Sequence, residues 1–233
     1  MKNLMPETIR NFVLTGHAGA GKTALADLML YKAGAVNRLG SVDAGNSVSD
    51  FRPEEQEKGH SFYSAPLTAE WKDCQLFFCD TPGAQDFQGE MIAAITAADT
   101  VLIVVDAING LETGAIRAWK RAREHGHPVA FFVNGMDKEQ ADFQKVLGDL
   151  QEAYGATTVI PFTVPVGSQD SLSAVVRVLG SLDEVPGELQ EMVAGYREAL
   201  MDTVAESDEE LMMKYLDGEP LSEEEISKGL HKA

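Results

Sequence analysis

The run Gly16-His17-Ala18-Gly19-Ala20-Gly21-Lys22-Thr23 stands between a strand-like apolar segment, residues 9–15, and a helix-like segment, residues 24–31. Strand, glycine-rich loop and helix in that order commit the chain to an α/β fold that opens on a phosphate-binding loop. Glycines at Gly16 and Gly21 let successive backbone N–H groups turn inward on a pyrophosphate at a helix N-terminus, where the partial positive charge lies. Lys22 is spaced to reach the β and γ phosphates, and the Thr23 hydroxyl to ligate Mg²⁺. A helix-capping turn would account for the glycines but not for Lys-Thr at this offset. The sequence therefore implies a nucleotide-binding protein.

A chain of 233 residues has room for one large α/β core, or one core with an appended subdomain. Its net charge of -18 excludes a broad nucleic-acid face, which needs clustered Lys and Arg to neutralise phosphates. No DNA partner is expected, and any nucleic-acid contact is local. Much of the acid falls late, from Asp202 through Glu223 to Glu225, as a solvated helical surface. No stretch approaches the ~20 apolar residues that span a bilayer, and Met1-Lys2-Asn3-Leu4-Met5-Pro6-Glu7 lacks the apolar segment of a signal peptide. A cytoplasmic, monomeric chain without a membrane partner is expected. Cys74 and Cys79 share one expected strand at an odd separation, which points them to opposite faces and away from a disulfide or a metal pair.

After the first helix, residues 34–61 are polar and aperiodic, the profile of a long functional loop. Residues 62–68 and 75–80 form an expected antiparallel hairpin about a polar turn at Trp71-Lys72-Asp73. Strands at 100–106 and 129–134 then alternate with helices at 111–125 and 140–154, which implies a mostly parallel sheet with helices on both faces. A further strand is expected at 157–164. Beyond Gly167 the pattern turns helical, with helices at 172–182, 188–205 and 208–216. Ser222-Glu223-Glu224-Glu225 has the form of a capping box for the last helix, and Ser207-Asp208-Glu209-Glu210 repeats it. The expected organisation is a nucleotide-binding domain over 1–167 and a helix-rich subdomain over 168–233.

Two strand ends carry chemistry that matches the loop. Asp80-Thr81-Pro82-Gly83 places an acid where it can hold a water of the Mg²⁺ shell and a glycine N–H where it can meet a γ-phosphate. Asn134-Gly135-Met136-Asp137 offers an Asn for a purine edge and an Asp acceptor for the ring N–H and exocyclic amine of guanine. Either turn alone is weak evidence. Both, downstream of the loop and at strand ends, point to a guanine nucleotide.

These motifs, with Glu57-Lys58-Gly59-His60-Ser61, Asp80-Thr81-Pro82-Gly83-Ala84-Gln85-Asp86-Phe87 and Val133-Asn134-Gly135-Met136-Asp137, resemble the GTP-binding domain of translational GTPases, most closely elongation factor G and its divergent paralogues. Ala141-Asp142-Phe143, Phe162-Thr163-Val164-Pro165-Val166-Gly167 and Asp208-Glu209-Glu210-Leu211-Met212-Met213-Lys214-Tyr215-Leu216 extend the similarity over nearly the whole chain, the second as the strand end that leads into that factor's inserted subdomain and the third as a stretch of that subdomain. The resemblance implies a P-loop NTPase fold, GTP or GDP with Mg²⁺ as cofactors, and the ribosome as partner of a longer parent. It places His17, Ala18, Gly19, Ala20, Gly21, Lys22 and Thr23 on the phosphates, with Asp80 and Gly83. It places Asn134, Gly135 and Asp137 on guanine, and Thr23, Ser61 and Asp80 (through water) on the metal. It also implies that the loop ending at Ser61 is ordered by γ-phosphate and Mg²⁺.

The chain departs from the family pattern at informative positions. Relatives carry a water-positioning histidine directly after Asp-Thr-Pro-Gly, whereas here Ala84 offers a methyl group. No catalytic residue is fixed by the resemblance; Gln85 and His60 are the nearest polar candidates. Gly135 replaces a lysine whose stem lies along the base, which lowers the expected affinity. Gly19 replaces an aspartate common in elongation factor G, which favours a divergent paralogue. The family continues past the position of Ala233 into a strand, a Ser-Ala-Leu type loop and ribosome-binding domains, so the chain is expected to be most of the first domain of a longer factor. Ser171-Leu172-Ser173-Ala174 is expected to start a helix and not to form that loop. Two functions follow: a GTPase switch on the ribosome with very low intrinsic activity in this fragment, or a GTP-binding module that hydrolyses little and serves as an interaction switch.

Overall fold

A computed structural model describes residues 5–232. Residues 1–4, part of the opening segment read as lacking a signal peptide, and Ala233 lie outside the described residues. The chain divides into two compact units, Met1–Gly135 and Met136–Ala233.

The first unit is a five-stranded sheet built from β1 (Ile9–Gly16), β2 (Ala65–Trp71), β3 (Cys74–Asp80), β4 (Thr100–Asp106) and β5 (Val129–Asn134). Its strand order is β2-β3-β1-β4-β5. β1 pairs in parallel with β3 and β4, β4 in parallel with β5, and only the β2–β3 edge is antiparallel. Alternation along β1 sends Phe12 and Leu14 to one face. There they pack with Leu67, Leu76, Phe78 and Leu102 against Ala26, Leu30, Leu25 and Met29 of α1 (Lys22–Lys32). Phe12 and Phe78 stack with centroids 5.3 Å apart. The other face meets α3 (Gln88–Ala97) and α4 (Thr113–Glu124), which also touch each other. α4 buries Ala115, Ala118 and Ala122 completely, small residues at helical spacing that let it lie close to the sheet. This is the mostly parallel α/β P-loop fold that the sequence implies.

Local differences from the sequence expectations each have a cause. Strand β2 begins at Ala65 and not at residue 62, because the amides of Phe62, Tyr63 and Ser64 are engaged by Glu55 and Glu90 carboxylates. The loop over 34–61 contains a short helix, α2 (Pro53–Lys58). α3 is an element absent from the expectations above, although Met91, Ala94 and Ile95, its buried residues, have helical spacing.

The second unit holds α5 (Phe143–Tyr154), capped by Asp142 accepting from the Lys145 N–H at 3.0 Å. Residues 172–182 are not helical. Ala174–Arg177 forms β7 and pairs antiparallel with β6 (Thr163–Val166), so Ser171-Leu172-Ser173 closes a hairpin and does not start a helix. The β-branched pair Val175-Val176 fits a pleated surface better than a helix. The strand expected from residue 157 begins only at Thr163, since the Thr158 and Val159 amides turn back onto the Gly155 carbonyl. Three helices follow: α6 (Gly187–Glu206), α7 (Glu209–Leu216) and α8 (Glu223–Lys232). Val164, Val178, Val185 and α6's Val193 and Leu200 make the core between the hairpin and α6, with Leu230 of α8 packed against it. The Ser222 box forms: Glu225 accepts from the Ser222 N–H at 2.8 Å and the Ser222 hydroxyl from the Glu225 N–H at 3.3 Å. At the earlier signature the cap is Asp208 and not Ser207, whose hydroxyl instead turns back to the Val204 carbonyl.

Candidate functional site

The phosphate loop sits between β1 and α1, and its glycines are required by contact as well as by backbone. A Cβ on Gly16 would stand 2.3 Å from the Val104 carbonyl oxygen of the neighbouring strand. At Gly21, φ is +89° and a Cβ would meet the Asn134 amide nitrogen at 2.1 Å. That nitrogen donates to the Ala20 carbonyl at 2.9 Å, so Asn134 ties the end of β5 to the loop. On the other side the Gly114 N–H donates to His17 Nδ1 at 3.2 Å, and His17 Nε2 lies 3.4 Å from a Glu112 carboxylate oxygen. The loop is thus braced from both flanks before any ligand arrives.

Lys22 folds back over the loop, its ammonium donating to the His17 carbonyl at 2.8 Å. It is only 5% exposed. Burial lowers its pKa, opposed by the nearby Asp80 carboxylate. An ammonium in such a place is electrostatically incomplete, and a polyphosphate completes it. Gly83 touches this group: a Cβ there would lie 2.5 Å from Lys22 Nζ and 2.6 Å from the Ala18 nitrogen. The Asp80–Gly83 turn therefore presses on the loop beside the Lys22 ammonium. Thr81 fixes the turn by donating its hydroxyl to the Leu14 carbonyl at 2.8 Å.

Beside Lys22 lies a corner made entirely of oxygens. The Thr23 hydroxyl donates to Asp80 Oδ2 at 2.7 Å, and Ser61 Oγ lies 3.3 Å from Thr23 Oγ1. Ser61 in turn donates to Asp50 Oδ1 at 2.6 Å. Asp80 Oδ1 is buried with no hydrogen-bond partner among the described residues. Burial raises the Asp80 pKa to about 6, opposed by Thr23, Lys22 and the nearby Ser49 hydroxyl. Burial likewise raises Asp50, against the Ser61 hydrogen bond. Hard oxygen donors with an unsatisfied carboxylate oxygen suit Mg²⁺, which takes a few protein oxygens and keeps several waters. Thr23 and Ser61 have the hydroxyls to bind it, and Asp80 the carboxylate to hold one of its waters.

Of the residues expected from sequence, Lys22, Thr23, Ser61, Asp80 and Gly83 converge here, with His17, Ala18, Gly19, Ala20 and Gly21 forming the loop and Asn134 bracing it. Ala84 stands in extended backbone just before a short 3₁₀ turn, Gln85–Phe87, and the Gln85 side chain is exposed. Gly135 has φ +78°. Asp137 is an exposed turn residue of the second unit. Three further acids carry no signal in the sequence. Asp50 orients Ser61. Glu55, fully buried, accepts from the amides of Phe62 (2.8 Å), Tyr63 (3.0 Å) and Arg52 (3.2 Å). Asp27, buried on α1, accepts from the Val48 N–H at 3.0 Å. All three grip the polar loop over 34–61, and nothing in an aperiodic acidic stretch marks which of its carboxylates will turn inward.

Sheet, loop and oxygen corner together define a phosphate-loop nucleotide-binding domain. More narrowly, residues 7–220 match the Elongation factor Tu GTP binding domain, and the chain belongs to that family. Among solved structures it is similar to a Thermus thermophilus protein designated ttk003000868, at 32% sequence identity with a TM-score of 0.88. The match covers 97% of this chain and 36% of that one, so the chain spans about a third of the length of that relative.

Proposed function

We propose that this chain is the GTP-binding part of an elongation factor G-like translational GTPase, with the character of a divergent paralogue. Within a longer parent it would act as a switch on the ribosome, driven by GTP hydrolysis. The observation that carries this reading is the convergence of Lys22, Gly83, Thr23, Ser61 and Asp80 on one corner of the braced loop. Loop amides and Lys22 bind the phosphates, the Gly83 N–H senses the γ-phosphate, and Asn134, Gly135 and Asp137 serve guanine. Mg²⁺, when bound beside Thr23, Ser61 and the Asp80-held water, supplies charge neutralisation of the β and γ phosphates. The nucleotide-binding domain is taken to run over 1–167, with 168–233 as the start of the inserted subdomain, and the protein to be cytoplasmic and monomeric.

Ala84 favours a second reading, in which GTP is bound but scarcely hydrolysed, because a methyl group cannot orient water. Single-turnover hydrolysis of GTP by the parent, with and without ribosomes, separates the two. Ribosome-stimulated turnover is expected; a bound GTP that survives on ribosomes would leave only the binding switch.

A further inference from the structure

With a methyl at position 84, the group that orients the attacking water has to come from elsewhere, and a histidine ring stands next in the chain to the oxygen corner. His60 directly precedes Ser61, whose hydroxyl is 3.3 Å from Thr23 Oγ1 in the oxygen corner. Its imidazole lies with its centroid 4.7 Å from that of Phe62 and 6.5 Å from that of Phe87, while Phe62 and Phe87 stack at 4.9 Å. Phe87 ends the short turn that begins right after Ala84. The ring thus lies against Phe62 at the end of the first loop and Phe87 of the segment that follows Gly83. His60 is exposed, and the two ring contacts are what hold its imidazole; neither ring nitrogen has a hydrogen-bond partner among the described residues. The backbone beneath it is fixed as well, since Glu55 accepts from the Phe62 and Tyr63 amides.

We propose that His60 is the catalytic residue that orients the attacking water, supplying from the first loop what Ala84 lacks on the second. The inference rests on the GTPase reading above. In the reaction the water oxygen bonds to the γ-phosphorus as the bond from that phosphorus to the β–γ bridging oxygen breaks. The bonding pair stays on GDP, and the water's proton passes to a γ-phosphate oxygen of the departing phosphate. The imidazole takes no net proton; a ring nitrogen accepts a hydrogen bond from the water and holds it in line. Gln85 is the competing group; it is exposed like His60, but it has neither a ring contact nor a side-chain hydrogen bond among the described residues to fix its rotamers.

The test is single-turnover hydrolysis of bound GTP with excess protein and Mg²⁺, run on the chain and on His60→Phe, His60→Gln and Gln85→Ala, with GDP affinity measured alongside. His60→Phe keeps a ring to stack on Phe62 and Phe87 but removes the nitrogens. It is expected to slow hydrolysis at least tenfold with GDP affinity within about twofold, while His60→Gln keeps part of the rate. Adding Ala84→His to His60→Phe is expected to restore turnover. Hydrolysis unchanged in His60→Phe, a loss confined to Gln85→Ala, or bound GTP that the unmodified chain never hydrolyses would each overturn the proposal. Failure to bind GTP at all would instead overturn the GTPase reading beneath it.

Discussion

Replacing Glu55 with alanine removes the one buried carboxylate that holds the end of the first loop against its own short helix. Three backbone donors lose their acceptor: Phe62 and Tyr63 on Oε1, and Arg52 on Oε2. A hydrogen bond to a charged group is worth about 1.5–3 kcal/mol, and a donor left unsatisfied costs about 1–3 kcal/mol. The full sum is not realised, because a loosened surface loop lets its amides reach water. A local cost of about 2–4 kcal/mol follows, confined to the loop, since the cores on β1, α1 and β4 do not involve Glu55. Each 1.4 kcal/mol is a tenfold change, so amide hydrogen exchange at Phe62 and Tyr63 is expected to quicken by roughly 30- to 1000-fold. Amides of Val13, Leu14 and Ile103 should exchange as before. Glu55→Gln, which keeps an acceptor oxygen without the charge, should fall between. Unchanged exchange at Phe62 and Tyr63 in Glu55→Ala, or uniform acceleration across the sheet, would refute the claim that this carboxylate is a local clamp.

Lys22→Ala should abolish tight triphosphate binding while leaving the far-ultraviolet spectrum and cooperative melting intact, because its ammonium faces the loop and not a core; loss of cooperative melting would contradict this. Thr23→Ala should weaken nucleotide binding in Mg²⁺ more than in chelator, as read by titration in both. Asp80 gives a pH signature without nucleotide. Its native pKa near 6 exceeds the unfolded value, so the native state binds the extra proton between about pH 4 and 6 and this group's contribution to stability falls as pH rises through that window. The difference in unfolding free energy between the wild type and Asp80→Asn should shift accordingly, and a flat difference would contradict burial as the cause. Gly135→Lys should tighten GDP binding through a stem along the base, yet lower the melting temperature by the equivalent of about 1 kcal/mol, because φ +78° disfavours an L side chain.

The sheet is legible in the sequence because its signals are local: β1 carries the consecutive apolar run Phe12-Val13-Leu14, the glycines of the phosphate loop fix its turn, and Asp80 and Asn134 mark strand ends. The oxygen corner is half legible. Thr23 and Asp80 follow from motif position, whereas Asp50 and Glu55 lie in a polar loop whose fold depends on which carboxylate finds backbone donors. Asn134 illustrates a role that a motif conceals, since its amide nitrogen braces Ala20 in addition to any part in base recognition. Residues 172–182 mislead because an apolar run of that length fits either period; the pairing of Val164 with Val176 decides for a hairpin. α3 is missing from the sequence expectations although Met91, Ala94 and Ile95 show its face.

Calorimetric titration of the chain with GDP and with ADP in Mg²⁺ tests the central claim most directly. In the proposed reading Asp137 would accept from two guanine donors, whereas adenine would set an acceptor nitrogen against the carboxylate. GDP is expected to bind at least about tenfold tighter than ADP, with Lys22→Ala removing the GDP signal. Equal affinity for the two nucleotides, or GDP binding that survives Lys22→Ala, would contradict a guanine-nucleotide site built on this phosphate loop.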